Sequence, residues 1–523
     1  MTEPSISPHG DSRSPFESGS TYNSPSLRKR IGTVAVASVF ALIAGQLLSL
    51  AQTVALARLL SPTEVGYFAA GSVVTSFMSN FVEGGLRAGL IHREDRIEDA
   101  AEIVFRATLV TGLMMSLFAL SSAPVISVLF DSRTAGVVAA SMAGGILLFS
   151  LTNVPEALLQ REFSVKRRLI VGPAVAFTFA VVSVTLAALG LGVWSLVIGT
   201  YASSTVWVGT LWWLCDWRPS RGKTDFKLYR EMVRYGLPMA ISLFADHSVK
   251  SVQAIVTGRF LSVNSLGLFR YSERMAQIPV GAIVEVGANS LFPAYSRISS
   301  DPTRFRRAYL HALGLVVVVA AAISGLLLAV GVPLVVIVLG DEWRGAGLAL
   351  VAMAGLGVGT AISTSAEAIK GAGRTTLLNW VTLVETILGI GLVVALAPLW
   401  GLVGVGLSIS LTSLVSGIML LTMARKIVDV HWRSVLSTVL PPVVSALAAT
   451  LVIFVVEHEV FISAERPLAL GLLLLVTDCL AFLCMYAIVL RLAAPASFGL
   501  ITDLVGSLLT AARGRLTSVR SRG

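Results

Sequence analysis

Apolar runs of twenty or more residues recur along this chain from Ile31 to Leu490. A helix needs about 20 apolar residues to cross the roughly 30 Å hydrocarbon core of a bilayer. Backbone polar groups in lipid must be satisfied within the protein, so only helices or closed barrels can span it. Because these runs are continuous rather than alternating, they exclude a barrel. The sequence therefore predicts an all-α polytopic membrane protein.

The runs predict about fourteen transmembrane helices. The predicted spans are 31–60, 64–90, 100–130, 135–159, 169–189, 192–215, 233–260, 265–296, 308–339, 345–369, 376–398, 400–424, 435–456 and 467–490. The first 30 residues are rich in Ser and Pro and nearly free of aliphatic side chains. Such a segment cannot bury a core, so we expect a disordered tail over 1–30.

Lysine and arginine are distributed unevenly between the two sides of these spans. Of the 40 Lys and Arg residues, 30 lie in the termini and the even-numbered connections, and only five lie in the odd-numbered connections. Cytoplasmic loops carry such an excess. The pattern predicts a multi-pass plasma-membrane protein with both termini in the cytoplasm. It also explains the net charge of +10, so nucleic-acid binding is not supported.

The connections between spans leave no room for a soluble catalytic domain. The outer connections are mostly under ten residues, and the largest inner one, about 216–231, is also small. No GxxxxGK[ST] motif for binding nucleoside triphosphate is present. We therefore expect a protein that is not an enzyme and that holds no cofactor and no metal.

One phrase occurs twice at the predicted outer surface. Ala57–Phe68 reads ARLLSPTEVGYF and Gly258–Phe269 reads GRFLSVNSLGLF. The copies are six spans apart, an even number, so both face the same way and the repeat is parallel. We expect each copy to form a tight corner in which Ser61 or Ser262 caps the next helix.

Weaker echoes follow in the same order, at offsets that rise to 209 and 211. They predict two parallel six-helix lobes followed by two further helices. The predicted units are the tail 1–30, a first lobe 31–215, a cytoplasmic loop 216–232, a second lobe 233–424, the last two helices 425–490 and a basic cytoplasmic tail 491–523.

At this point the chain resembles a known family. LARLLSPTEVGYFAAG (Leu56–Gly71), LLQREFSVKRR (Leu158–Arg168) and GLGVWSLVIG (Gly190–Gly199) are similar to segments of polysaccharide exporters and Wzx-type oligosaccharide flippases. These belong to the multidrug/oligosaccharidyl-lipid/polysaccharide superfamily. The resemblance implies a two-lobed transporter that moves polyprenyl-diphosphate-linked glycans, as precursors of lipopolysaccharide, exopolysaccharide or capsule, outward across the plasma membrane. It implies no catalytic residue.

Ionisable residues within spans predict a functional site, because each costs roughly 2.5–3.5 kcal/mol to insert at mid-membrane. Spacing places several of them on shared helix faces. The predicted substrate cavity consists of Asp246, Lys250, Gln253, Arg270, Glu273, Arg274, Glu285 and Glu385. Its cations would meet the diphosphate and sugars, and its acids would balance those cations when the cavity is empty.

A second set of charges lies toward the cytoplasm. We predict an inner gate formed by Glu83, Arg87, Glu156 and Glu367. The alternative for both sets is that they are ion pairs within one lobe that hold helices together.

Three functions compete at this stage. The first is a flippase for lipid-linked oligosaccharide, whose partners would be the glycolipid, membrane lipid and possible polymerase and export machinery. The second is a proton- or cation-coupled drug or metabolite exporter, which would favour a cavity rich in acids and poor in cations. The third, a membrane glycan polymerase, usually carries a sizeable outer loop that this chain lacks.

Overall fold

The structure is a computed structural model. It describes residue 45 and residues 48–83, 85–93, 95–162, 170–220, 225–286, 291–495, 497–499 and 502. The predicted tail 1–30, much of the first span and most of the tail 491–523 lie outside these residues, as does part of the segment Leu158–Arg168. The described residues form helices and no strands, which confirms the predicted all-α class.

Helices follow one another with short connections. Those before residue 220 are α1 (Leu48–Leu59), α2 (Pro62–Glu83), α3 (Leu86–His92), α4 (Ile97–Ser121), α5 (Ala123–Leu129), α6 (Arg133–Met142), α7 (Gly144–Ser150), α8 (Asn153–Arg161), α9 (Gly172–Ala188) and α10 (Val193–Leu214). Those after it are α11 (Phe226–Val256), α12 (Val263–Val286), α13 (Phe292–Ile298), α14 (Pro302–Leu339), α15 (Arg344–Ala352), α16 (Gly355–Ser363), α17 (Ser365–Gly371), α18 (Thr376–Val428), α19 (Trp432–Val456) and α20 (Leu468–Ala493).

By length and apolar composition, seven helical stretches among the described residues could cross a membrane, or eight if a bent pair over 341–371 is one span. One of the seven is α18, whose 53 residues are far longer than a single crossing needs. The long helices α11 and α12 are not among the seven, and they carry most of the predicted cavity residues. The multi-pass membrane architecture is confirmed, and the number fourteen stays a prediction.

The two copies of the repeated phrase form the same corner. Ser61 Oγ accepts a hydrogen bond from the N–H of Glu64 at 3.3 Å, and Ser262 Oγ accepts one from the N–H of Ser265 at 3.0 Å. Each serine thus satisfies a helix N–H that has no partner within its own helix. Glu64 also reaches back to the N–H of Ser61 at 2.8 Å, which completes a capping box in the first copy alone. The predicted capping role of both serines is confirmed.

The same two corners pack against each other, and we call this contact the α2–α12 crossing. Gly66 and Gly267 lie where the helices meet, so close that a side chain on either would overlap the backbone of the other helix. Thr63 and Asn264, 201 positions apart, join their side chains by a hydrogen bond of 3.0 Å. Helices approach this closely only where small residues line the contact.

A second pair of glycines repeats one backbone conformation. Gly192 precedes α10 with φ 55° and ψ −132°, and Gly401 interrupts α18 with φ 57° and ψ −136°. Residues with a side chain rarely adopt this region, so glycine permits the same sharp turn at both positions. The pair lies 209 positions apart, the offset found between the sequence echoes at these positions.

The largest buried core joins residues from both parts of the chain. It contains Leu56 and Val65 of α1 and α2 together with Leu266 and Phe269 of α12 and the indole of Trp343. The Trp343 Nε1–H donates to the carbonyl of Ala57 at 2.9 Å. Burial of this shared core fixes α2 and α12 against each other and thereby positions the polar faces of α11 and α12 described next.

Candidate substrate cavity

The polar residues predicted on α11 and α12 pair along their own helices. Lys250 Nζ lies 2.8 Å from Asp246 Oδ2, one turn away on α11. On α12, Arg270 Nη1 lies 3.1 Å from Glu273 Oε2, and Gln277 donates to the other oxygen of Glu273 at 3.1 Å. Ion pairs of this kind, within one lobe, are what we expect if these charges serve only to hold the fold together. The same side chains nevertheless line open space.

Three adjoining cavities surround these residues and share lining side chains. The first, of about 430 Å³, lies between α11, α12, α16 and α18, and its lining includes Asp246, Lys250, Gln253, Glu273 and Glu385. The second, of about 410 Å³, shares Lys250 and Glu273 with the first and adds Arg270 and Arg274. The third, of about 320 Å³, shares both arginines with the second and reaches α2, α9 and α10.

We call these three spaces together the charged cavity. Its lining includes seven of the eight predicted cavity residues. The eighth, Glu285, lies on α12, and its side chain is outside the described part of the structure. The role of these residues in holding a substrate stays a prediction.

Arg274 differs from the other cations of the charged cavity. Its Nη2 donates to Ser49 Oγ of α1 at 3.1 Å, and among the described residues it forms no ion pair with a carboxylate. A guanidinium is always charged and offers a planar fork that matches two oxygens of a phosphate. Since Arg274 is half-buried and lacks a carboxylate among these residues, it is the cation best placed to receive an anionic group.

Glu385 is the corresponding unpaired acid. It enters from α18 and lines the cavity together with Asp246 and Lys250. No hydrogen bond or ion pair joins its carboxylate to another described residue, because Lys250 is engaged by Asp246. Glu385 therefore lines this part of the cavity beside an ion pair that it does not join.

The residues predicted as an inner gate form two separate groups. Arg87 lies 3.2 Å from Glu156 and 3.9 Å from Glu83, all within the first part of the chain. Glu367 pairs instead with Lys370 of its own helix at 2.8 Å. Arg87 thus links α3 to α2 and α8 in the first part of the chain, whereas the ion pair of Glu367 lies within α17.

Other ion pairs join the first and second parts of the chain. They lie near the C-terminal end of α2, whereas the α2–α12 crossing lies at its N-terminal end. Arg96 Nη1 lies 2.9 Å from Asp225 Oδ2, and Arg93 lies 3.5 Å from Glu231. Close by, Gly85 packs so tightly against Gly236 of α11 that neither has space for a side chain. We call this contact the α3–α11 crossing.

Asp225 is central to the α3–α11 crossing. Besides binding Arg96, its carboxylate accepts hydrogen bonds from the N–H groups of Lys227 and Leu228, and so caps α11. The hydrogen bond from Arg96 and these backbone bonds hold the pKa of Asp225 below its ordinary value. Sequence reasoning missed these pairs, because partners 129 and 138 positions apart show no periodic relation.

A further cavity of about 190 Å³ lies in the first part of the chain and was also missed. It is lined by side chains of α2, α6, α7 and α10, among them Ser76, Phe149, Tyr201, Ser204 and Trp207. None of its lining residues is charged. Serines, threonines and aromatics are common in membrane helices, so the sequence alone contains no signal that these line a cavity.

Comparison with known proteins assigns the chain to a family. A family described as polysaccharide biosynthesis proteins matches residues 55–347, more than half of the chain. The chain belongs to this family. The resemblance indicated by the three motifs is therefore confirmed, and the matched region includes both corners of the α2–α12 crossing.

Two curated relatives with roles in polymer biosynthesis are similar to this chain over about two thirds of their length. The succinoglycan biosynthesis transport protein ExoT of Rhizobium meliloti (strain 1021) is 27% identical over 342 residues, which are 65% of this chain and 68% of that protein. The teichuronic acid biosynthesis protein TuaB of Bacillus subtilis (strain 168) is 21% identical over 337 residues, 62% of this chain and 67% of that protein.

Solved structures share the fold. The lipid II flippase MurJ in an inward closed conformation matches with a TM-score of 0.71 and 15% identity, covering 87% of this chain and 99% of that one. A multidrug resistance transporter of the MATE family in an inward-facing conformation matches with a TM-score of 0.62 and 17% identity, covering 74% of this chain and 94% of that one.

Proposed function

We propose that this protein is a flippase that moves a polyprenyl-diphosphate-linked oligosaccharide from the inner to the outer face of the plasma membrane. The observation that carries the proposal is Arg274, half-buried in the charged cavity and without a carboxylate partner among the described residues. Membership of the polysaccharide biosynthesis family supports a glycan as cargo. The translocated glycolipid would then pass to polymerase and export machinery at the outer face.

The diphosphate would bind between Arg274 and Arg270. Arg274 offers its fork directly, whereas Arg270 must first release Glu273, now 3.1 Å away. Exchange of a carboxylate for a diphosphate keeps the arginine paired in both the empty and the loaded state. Leaving a buried charge unpaired would cost several kcal/mol, so this exchange lets the cavity accept and release an anion.

Alternating access would use the two crossings as gates. The α2–α12 crossing closes the cavity at the end predicted to face outward, and the α3–α11 crossing closes it at the end predicted to face the cytoplasm. Two six-helix lobes, fourteen spans and cytoplasmic termini are part of the proposal. The matching conformations of Gly192 and Gly401 and the matching corners support a duplicated lobe.

Translocation by the purified protein in liposomes tests this proposal. A fluorescent polyprenyl-diphosphate oligosaccharide is incorporated, and the fraction accessible to an external quencher is followed for wild type, Arg274→Ala and Arg259→Ala. Arg259 is an exposed arginine of the second corner with no described ion-pair partner, so it controls for loss of charge alone. We expect flipping that falls at least about tenfold in Arg274→Ala, the equivalent of 1.4 kcal/mol, and persists in Arg259→Ala. Wild-type protein that flips no glycolipid but exports a soluble cationic dye would contradict the proposal.

One observation favours the second candidate, a proton- or cation-coupled exporter. Glu385 and Asp246 line the same space, and Lys250 is the one cation among the described residues that line it. A local excess of acid would suit a cationic cargo or a coupling proton. The three cations of the charged cavity make a diphosphate the better match.

A further inference from the structure

The uncharged cavity of the first part of the chain occupies the position of the charged one in the second. Met142, Gly145 and Phe149 of α6 and α7 lie 211 positions before lining residues of the charged cavity, and Thr200, Ser204 and Trp207 of α10 lie 209 positions before others. Three such pairs are Met142 and Met353, Phe149 and Thr360, and Trp207 and Ser416. These are the offsets of the sequence repeat, so the two cavities are copies of one ancestral space.

The two copies share a hydroxyl group at two equivalent positions and differ in much of the remaining chemistry. Thr152 corresponds to Ser363 and Ser204 to Ser413, so these positions carry a hydroxyl in both. The first copy has aromatic rings where the second has small polar residues, and it has no charge at all. Such divergence indicates that the first copy binds a different chemical group from the second.

Aromatic rings and hydroxyls in the first copy match a sugar. The rings of Phe149 and Trp207 are neighbours, with their centroids 6.0 Å apart and their planes inclined at 59°. A pyranose offers an apolar C–H face for such rings and a rim of hydroxyls for polar groups. The side-chain hydroxyls of Ser76 and Ser204 form no hydrogen bond with another described residue, so each can donate to and accept from a sugar hydroxyl.

The size and position of the cavity fit one ring beside the diphosphate. At about 190 Å³ it is smaller than the roughly 300–1,000 Å³ typical of sites for larger ligands. Ser76 lines both this cavity and the part of the charged cavity that contains Arg270 and Arg274. A ligand could therefore extend from the arginines into the uncharged space.

We propose that this uncharged cavity is a sugar subsite, in which Trp207 and Phe149 hold a pyranose ring of the glycan while Arg270 and Arg274 hold its diphosphate. This inference rests on the proposed function, which names the glycolipid. It adds a division of labour: the first half of the molecule recognises the sugar, and the cationic centre recognises the diphosphate.

Two lipids that differ only in the sugar test this division. Liposomes with wild type, Trp207→Ala, Trp207→Phe or Trp213→Ala receive either a polyprenyl diphosphate carrying an oligosaccharide or the same polyprenyl diphosphate without sugar. Trp213 lies on the same helix but is 72% exposed on its outer surface, so it is the matched control. We expect Trp207→Ala to slow the glycosylated lipid about tenfold, as loss of an aromatic anchor does, and to leave the sugar-free lipid unchanged. Trp207→Phe should retain most of the rate, and Arg274→Ala, measured in parallel with both lipids, should slow both.

Equilibrium binding of the two lipids to the detergent-solubilised protein separates this inference from the flippase proposal. If wild type flips neither lipid, the flippase proposal fails, and binding alone decides the subsite. Preference for the glycosylated lipid that disappears in Trp207→Ala and persists in Trp213→Ala supports the subsite. Equal effects of Trp207→Ala on both lipids, or no effect on either, would overturn it.

Discussion

Gly66 and Gly267, which occupy the same place in the two copies of one phrase, face each other where α2 crosses α12. The repeat therefore encodes a contact between its own copies as well as a shared corner. Thr63 and Asn264, likewise equivalent, are hydrogen-bonded across the same contact. Each corner thus packs directly against the other.

Substitution of Gly66 by alanine should destabilise the protein. The added Cβ would overlap the carbonyl oxygen of Val263, a backbone atom that cannot move aside as a side chain would. Overpacking of this kind costs about 1–3 kcal/mol, so we expect a lower midpoint of thermal unfolding in detergent. Gly209→Ala is the control, since open space surrounds that glycine. An unchanged midpoint in Gly66→Ala would show that the helices are not in close contact here.

Contacts at the α3–α11 crossing should depend on pH through Asp225. Because its pKa is lowered on folding by Arg96 and the backbone N–H groups, the ionised carboxylate is the form that stabilises the contact. That contribution is complete above the ordinary aspartate pKa, about 3.9, and is lost as the pH falls through the lower folded value. We expect spin labels on a cysteine pair placed across this crossing to lie farther apart in that acidic range than at neutral pH, and to show no such change in Asp225→Asn.

Charge exchange provides the corresponding mutational test. Arg96→Asp should weaken crosslinking across the α3–α11 crossing, and Asp225→Arg in the same chain should restore much of it. Arg344→Gln is the control, because Arg344 pairs with Asp341 in the connection between α14 and α15 and away from this crossing. Failure of the double exchange to restore crosslinking would indicate that the helix cap made by Asp225, and not its ion pair, holds this crossing.

The charged cavity could be predicted because charges in lipid are costly. Lys250 on α11 and Arg274 on α12 must avoid hydrocarbon. Each shares a helix face with other polar residues, and this spacing predicted a common polar space. The corners were predictable because a serine cap and a repeated phrase are local signals. The class of fold followed from the apolar runs alone.

Contacts between distant helices could not be predicted in this way. Arg96 and Asp225 are separated by 129 positions, and opposite charges in two loops do not reveal that the loops meet. Similarly, Trp207 and Trp213 are both tryptophans of α10, yet one lines a cavity and the other faces outward. Only the packing of α10 against α7 and α2 distinguishes them.

Asp478 should be a source of instability within α20. It is fully buried, and no N–H group or hydroxyl of a described residue donates to either of its carboxylate oxygens. Its neighbour is Glu457, a second buried carboxyl whose oxygens already bind the N–H and Oγ of Ser463. Asp478→Asn supplies an amide donor and removes the adjacent like charge, so we expect thermal stability to rise by about 1–3 kcal/mol. Asp341→Asn, at an exposed carboxylate, should show no such gain.

Glu385 is the residue whose substitution separates the two candidate functions most directly. It lines the charged cavity without a described hydrogen-bond partner, so it is free to take up a proton when the cavity rearranges. We expect Glu385→Gln to abolish any acceleration of transport by an imposed pH gradient, so that rates with and without the gradient become equal. Glu342→Gln is the control, since Glu342 is exposed in the connection between α14 and α15. If that acceleration persists in Glu385→Gln, another group carries the coupling ion. If it vanishes only for a cationic dye while glycolipid flipping is unaffected, Glu385 belongs to an exporter activity of the same cavity.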